Sequence, residues 1–224
     1  MTRTKLCDRI LPTYTVGEEI FNMVSHIVGA SLGIVYLALC VIFAAVRGNV
    51  WGVVGSAIYG ASVTVLFTMS SVYHGVNPIG AKKVLQVIDH CTIYFMIAGT
   101  YTPYTLCTIR EKVSPVTAWI IFGVIWGMAA LAVTLTAIDL KKYSKFSMIC
   151  YLGMGWCVVF TAVPLFRALG FWGSFFLLGG GILYTLGAVL YGLGKKKRYV
   201  HSLFHIFVVL ASVMHFFSIF FYVI

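Results

Sequence analysis

Apolar residues run almost unbroken through seven stretches of this chain, at roughly 20–46, 50–73, 86–108, 114–137, 146–166, 172–193 and 200–222, and polar residues gather in the short gaps between them. Each stretch reaches the ~20 residues that a helix needs to cross about 30 Å of hydrocarbon. Lipid offers backbone N–H and C=O groups no partner, so runs of this length predict helices; a closed barrel would show short alternating segments instead. The expected fold class is all-α, a polytopic bundle of seven transmembrane helices. Because the gaps are only a few residues long, consecutive helices should be antiparallel neighbours, and residues 1–224 read as a single domain.

Smaller marks refine the elements. Thr15-Val16-Gly17-Glu18 fits a capping box, so the first helix should start before its apolar run, with an acidic first turn matched to the helix dipole. Ser114-Pro115 reads as an N-cap followed by a first-turn proline. Pro103, in "GTYTPYT", should kink the third span, and Gly29 with Gly33 makes a small-xxx-small pattern for close helix contact. No internal repeat is evident, so the inverted-repeat signature of many transporters is missing.

Composition agrees with the pattern: 61% of the 224 residues are hydrophobic, 10% are charged, and the mean hydropathy is +0.98. The net charge of +10 is carried by short clusters beside the spans, which suit anionic lipid headgroups and exclude nucleic acid as the expected partner. Twelve basic residues (Arg3, Lys5, Arg9, Lys82, Lys83, Lys141, Lys142, Lys145, Lys195, Lys196, Lys197 and Arg198) fall on one side, against four (Arg47, Arg110, Lys112 and Arg167) on the other. The positive-inside rule then expects a cytoplasmic N-terminus and an outside C-terminus. The first apolar run is too long for a signal-peptide core and is expected to remain as a span. The six cysteines form no CxxC pair, and most lie in spans, which predicts packing roles and no disulfide frame.

Orientation assigns a depth to each polar residue in the spans. Ser70 and His74 fall in the last turns of the second span, Asp89 in the first turn of the third, and His201 and His205 at the start of the seventh, so three helices deliver polar side chains to the cytoplasmic leaflet. Ionisable residues in a membrane are functional candidates by default. His201 and His205, at i and i+4, share a face about 6 Å apart, close enough to bind one metal ion. With His74 they make a three-histidine set, and three protein ligands with an open fourth position are the pattern of a catalytic zinc site. Asp89 is the nearest carboxylate to orient or deprotonate a water there, and Ser70 is placed to hydrogen-bond around it. Each residue also has a plainer reading: a helix-end histidine, an acid complementing a helix N-terminus, a serine bonded to its own helix.

The other histidines are weaker candidates. His215 lies ten residues beyond His205, about 15 Å deeper at ~1.5 Å per residue, and is expected to make a structural hydrogen bond. His90 is turned about 100° from Asp89. His26 is expected to line the cavity through a polar contact without ligating. Asn22, Glu18 and Glu19 are placed at the cytoplasmic mouth, where Glu18 and Glu19 can equally be solvated.

The stretches "EEIFNMVSHIVGASLG", "SSVYHG", "DHCTIYFMIAGTYTPY" and "HSLFHIFVVLASVMHFF" resemble the hemolysin III family, the bacterial branch of the progestin and adipoQ receptor family that includes the adiponectin receptors. The resemblance runs from about Glu18 to the last span. It implies a seven-helix bundle with the N-terminus inside, zinc held by His74, His201 and His205, and Ser70 and Asp89 beside the reacting water. Receptor relatives are linked to ceramide hydrolysis, and bacterial members to red-cell lysis and membrane lipid homeostasis. The short N-terminal tail departs from the receptor branch.

Three functions follow as expectations: a zinc-dependent hydrolase of a lipid amide or ester, ceramidase-like, in a bacterial plasma membrane; a non-enzymatic sensor or regulator of membrane lipids; and a cytolytic protein. A structural zinc usually has four protein ligands, which tilts the three-histidine set towards chemistry. A retinal protein is excluded because every lysine maps to a loop or a span's edge, and a G-protein-coupled receptor because the charge bias puts the N-terminus inside.

Overall fold

The computed structural model describes residues 4–194 and 197–224, and all regular structure among them is helical. Helix α1 spans Val16–Val46, α2 Val50–Gly75, α3 Ile79–Pro103, α4 Pro115–Ile138, α5 Ser144–Trp156, α6 Ala162–Gly194 and α7 Val200–Tyr222. A π-helical turn over Tyr104–Ile109 and the short helix Arg110–Lys112 carry α3 onward, and a 3-10 segment over Cys157–Thr161 leads from α5 into α6.

Among the described residues, five stretches are long and apolar enough to cross a membrane: α1, α2, α4, α7 and the continuous helical run Ser144–Gly194. The two stretches expected at 146–166 and 172–193 share that run, and the break expected between them falls at Gly170. There the backbone leaves the helix at φ 66° and ψ −173°, a conformation that glycine adopts without a Cβ clash. The stretch expected at 86–108 is not among the five. Its helix, α3, opens earlier, at Ile79, and carries Lys82, Lys83, Gln86, Asp89 and His90 in its first half.

Helix α1 packs along α2, α2 along α3 and α3 against α4, while α6 packs along α7 and α7 returns to α1. The face that α1 turns inward is polar or small, with Glu18, Asn22, His26, Gly29, Gly33 and Tyr36 buried. Its exposed face carries Ile20, Val24, Ile27, Ile34, Val35 and Ile42. Apolar outside and polar within is the arrangement that a lipid solvent selects, and so broad an apolar surface would aggregate in water. Close contact of α1 with α2 depends on glycine: a Cβ on Gly33 would stand 3.0 Å from the Thr64 nitrogen, and one on Gly60 would stand 2.5 Å from Leu37 Cα.

The capping box is formed, since the Thr15 hydroxyl accepts from the Glu18 N–H while a Glu18 carboxylate oxygen accepts from the Thr15 N–H at 2.8 Å. Ser114 caps α4 ahead of Pro115. At Pro103 the α-helix ends and the wider π turn takes over, which accommodates the ring and its missing N–H. All six cysteines are free.

Side-chain ties identify the two ends of the bundle. At one end the Thr4 N–H donates to Asp139 Oδ2 at 2.8 Å, Lys83 Nζ donates to the Cys7 carbonyl, and Lys82 Nζ lies 2.7 Å from Glu19 Oε1. The Asp139 carboxyl is held down at about 2 by these backbone donors, Thr4 foremost, then Lys142 and Lys141. At the other end Arg47 donates to the carbonyl of Ile224 at 2.8 Å, and the Arg110 guanidinium sits 4.9 Å above the Trp51 ring. Arg3, Lys195 and Lys196, which entered the charge count, lie outside the described residues.

Candidate metal centre

Helix α2 brings Ser70 and His74 to its last turns, and α7 brings His201 and His205 to its first two. The start of α7 is fixed by an unusual residue: Tyr199 adopts the left-handed conformation at φ 60°, and its N–H donates to Glu18 Oε1 at 2.7 Å. One carboxylate therefore caps the helix that carries both histidines and the helix to which it belongs.

The three imidazoles converge. One ring nitrogen from each of His74, His201 and His205 lies within 4.8 Å of the others, and all three residues are buried. Nε2 of His205 stands 3.1 Å from Nε2 of His201. On His74, Nδ1 lies 2.6 Å from Glu19 Oε2, and Nε2 is buried without a partner among the described residues. Buried polar nitrogens are rarely left unpaired. Three imidazole nitrogens within 4.8 Å of one another, one ring backed by a carboxylate, are a donor set that could hold a zinc-like cation.

Around the centre, Tyr14 stacks on His201 with ring centroids 4.9 Å apart, and burial pushes its phenol well above the ordinary value of 10. The Ser70 hydroxyl and the Asp89 carboxyl face the same cavity. Ser70, Asp89, His201 and His205 all line one cavity of roughly 170 Å³, which continues past Ile93, Met96 and Thr100 towards Trp156, Thr185 and His215. Along α3 the distance from Asp89 to Tyr101 is about 18 Å at ~1.5 Å per residue.

Of the remaining candidates, His215 makes the expected structural bond, donating from Nε2 to the Leu177 carbonyl at 3.1 Å. His90 bonds the Gln86 carbonyl at 2.8 Å and the Tyr191 hydroxyl at 3.1 Å. His26 lines the cavity, and neither of its ring nitrogens has a hydrogen-bond partner among the described residues. Glu18 and Glu19 are engaged in specific bonds, not simply solvated. Sequence reasoning missed Glu19 as the partner of His74 and Tyr14 as a stacking ring. The only signal for Glu19 was its position in the first turn of α1, at the depth where the histidines were expected.

Residues 14–216 match the Haemolysin-III related family. The chain is 36% identical to Hemolysin-3 of Bacillus cereus over 211 residues, which cover 94% of each protein. It is 34% identical to the Hemolysin-3 homolog of Bacillus subtilis (strain 168), over 93% of this chain and 96% of that one. At 28% identity it also resembles the human Monocyte to macrophage differentiation factor, over 75% of this chain and 70% of the human one.

Proposed function

The chain belongs to the haemolysin III-related family of multi-pass membrane proteins, and from that premise we propose that His74, His201 and His205 bind zinc and that the centre hydrolyses an amide or ester bond in a lipid. The observation that carries the reading is the convergence of three buried histidine nitrogens, two of them from His201 and His205, which line a long, mostly apolar cavity together with Asp89 and Ser70. A bound zinc ion supplies Lewis acidity there, polarising a scissile carbonyl and making an attacking water more acidic. Asp89 takes the proton of that water and returns it to the leaving amine or alcohol, so a single carboxylate serves both halves of the reaction. Ser70, which lines the cavity beside Asp89, orients the carboxylate. The apolar wall formed by Ile93, Met96, Ile97, Phe204 and Val208 takes the acyl chain and keeps bulk water from it.

All seven apolar stretches cross the bilayer in this reading, the N-terminus lies in the cytoplasm and the C-terminus outside. Its support is the gathering of Lys5, Arg9, Lys82, Lys83, Lys141 and Lys142 at the end of the bundle where α1, α3 and α7 begin. The metal centre then sits near the inner headgroups of a bacterial plasma membrane, with membrane lipids as substrate and anionic headgroups beside the basic clusters. Lysis of red cells, suggested by the name of the Bacillus cereus relative, follows indirectly from altered lipid composition.

Metal analysis of the purified protein beside His201→Ala, with lipid profiles of cells carrying the wild type or Asp89→Ala, tests the proposal. Stoichiometric zinc lost in His201→Ala, together with a lipid that accumulates only with Asp89→Ala, is the expected result. Zinc without any lipid difference would leave a sensor as the function, and absence of zinc from the wild type would end the metal reading.

A further inference from the structure

A metal-binding histidine almost always donates its second ring N–H to an outer partner, which fixes the ring and raises its basicity. His74 has Glu19 in that role. His205 directs Nε2 towards His201, leaving Nδ1 buried with no partner among the described residues. The ring that lies against His205 is that of His26, with centroids 3.8 Å apart and planes at 32°. Both nitrogens of His26 are buried and likewise have no hydrogen-bond partner among the described residues. One turn earlier on the same face of α1, Asn22 is fully buried and neither Oδ1 nor Nδ2 has a partner among the described residues.

Helices α1 and α7 run in the same direction, tied at Glu18–Tyr199 and at Arg47–Ile224. That register sets Asn22 level with the first turn of α7, where the Ser202 hydroxyl is buried and without a partner among the described residues. Unpaired buried groups are costly, and native interiors satisfy such clusters with ordered water. A run of them along one helix interface, ending on a candidate ligand, is therefore a built polar site and no accident of packing.

We propose that Asn22, His26 and Ser202 form a buried subsite for ordered water that receives the Nδ1–H of His205, and that His26 is a positioning residue of the metal centre and not a ligand. The inference rests on the zinc reading above. Asn22 holds His26 through the same water, His26 holds the His205 ring, and the ring presents Nε2 to the metal.

Zinc affinity by chelator competition, with the absorption spectrum of the cobalt-substituted protein, tests it. His26→Leu and Asn22→Leu should each weaken zinc by about 10–100-fold while one metal per chain is still reached at saturation. His26→Gln, which keeps a donor and an acceptor, should recover most of that loss, and the cobalt spectrum should shift in the leucine variants without a change of ligand number. If His26→Leu does not fold, His26→Ala, which leaves room for water, is judged by the same measure. Wild-type affinity in His26→Leu and Asn22→Leu overturns the proposal; so does loss of the metal itself in His26→Leu, as in His201→Ala, which would make His26 a ligand. A wild type that takes up no metal at all would instead overturn the zinc reading, and this subsite with it.

Discussion

Glu18 Oε1 accepts a hydrogen bond from the backbone N–H of Tyr199 at 2.7 Å, joining the first turn of α1 to the residue that opens α7. The other oxygen, Oε2, accepts from the Thr15 N–H and hydroxyl, each at 2.8 Å, so one buried side chain holds two helix starts in register.

Replacing that carboxylate tests how far the register matters to the histidines. Glu18→Gln keeps the shape but loses the charge, and a hydrogen bond to a charged group contributes about 1.5–3 kcal/mol. Lower thermal stability in detergent and weaker zinc retention are expected together, because Tyr199 sits in a left-handed conformation that needs support from outside its own helix. An unchanged melting temperature and metal content would show that α7 holds its start unaided.

Glu19 acts on the three-histidine cluster more directly. It bonds His74 Nδ1 at 2.6 Å and Lys82 Nζ at 2.7 Å, fixing the tautomer that leaves His74 Nε2 free to ligate. Glu19→Gln should lower zinc affinity by about tenfold or more with little change in apo-protein stability. Titration against a chelator, read beside circular dichroism of the metal-free protein, separates the two effects.

Asp139 gives the N-terminal segment a pH-dependent anchor. Its folded value, about 2, lies below the ordinary 3.8, so the carboxylate stabilises the folded form above pH 3.8 and that contribution is lost as the pH falls towards 2. Hydrogen exchange at the Thr4 amide should rise across that interval in the wild type. The Asp139→Asn variant should lack the transition, and an identical acid profile in the two would sink the assignment.

Gly60 marks the closest approach of α1 and α2. A methyl group there would meet the Leu37 backbone, with Cα at 2.5 Å and N at 2.9 Å, and backbone cannot swing aside. Gly60→Ala should cost roughly 1–3 kcal/mol as the helices are forced apart. Gly181→Ala, with open space around it, should leave the melting temperature nearly unchanged and serves as the control.

Most of the helical architecture was legible in the sequence because its cause is local. A long apolar run must satisfy its own backbone in lipid, and caps such as Thr15 and Ser114 act within a turn of their own position. The stretch that composition described least well was α3, whose lysines, Gln86, Asp89 and His90 lower its hydropathy. The pairing of His201 with His205 was also readable, since helix geometry alone puts i and i+4 on one face.

What the sequence determined by itself was the helical class, the capped starts of α1 and α4, and the residues available for chemistry. Only the tertiary structure decided which of them meet: His74 with the α7 pair, Glu19 with His74, Glu18 with Tyr199 across 181 positions, and His26 with His205. The reason is physical. Periodicity fixes the face of a helix, but which faces oppose each other depends on the packing of neighbouring helices at glycine-sized contacts, and no local rule encodes those distances.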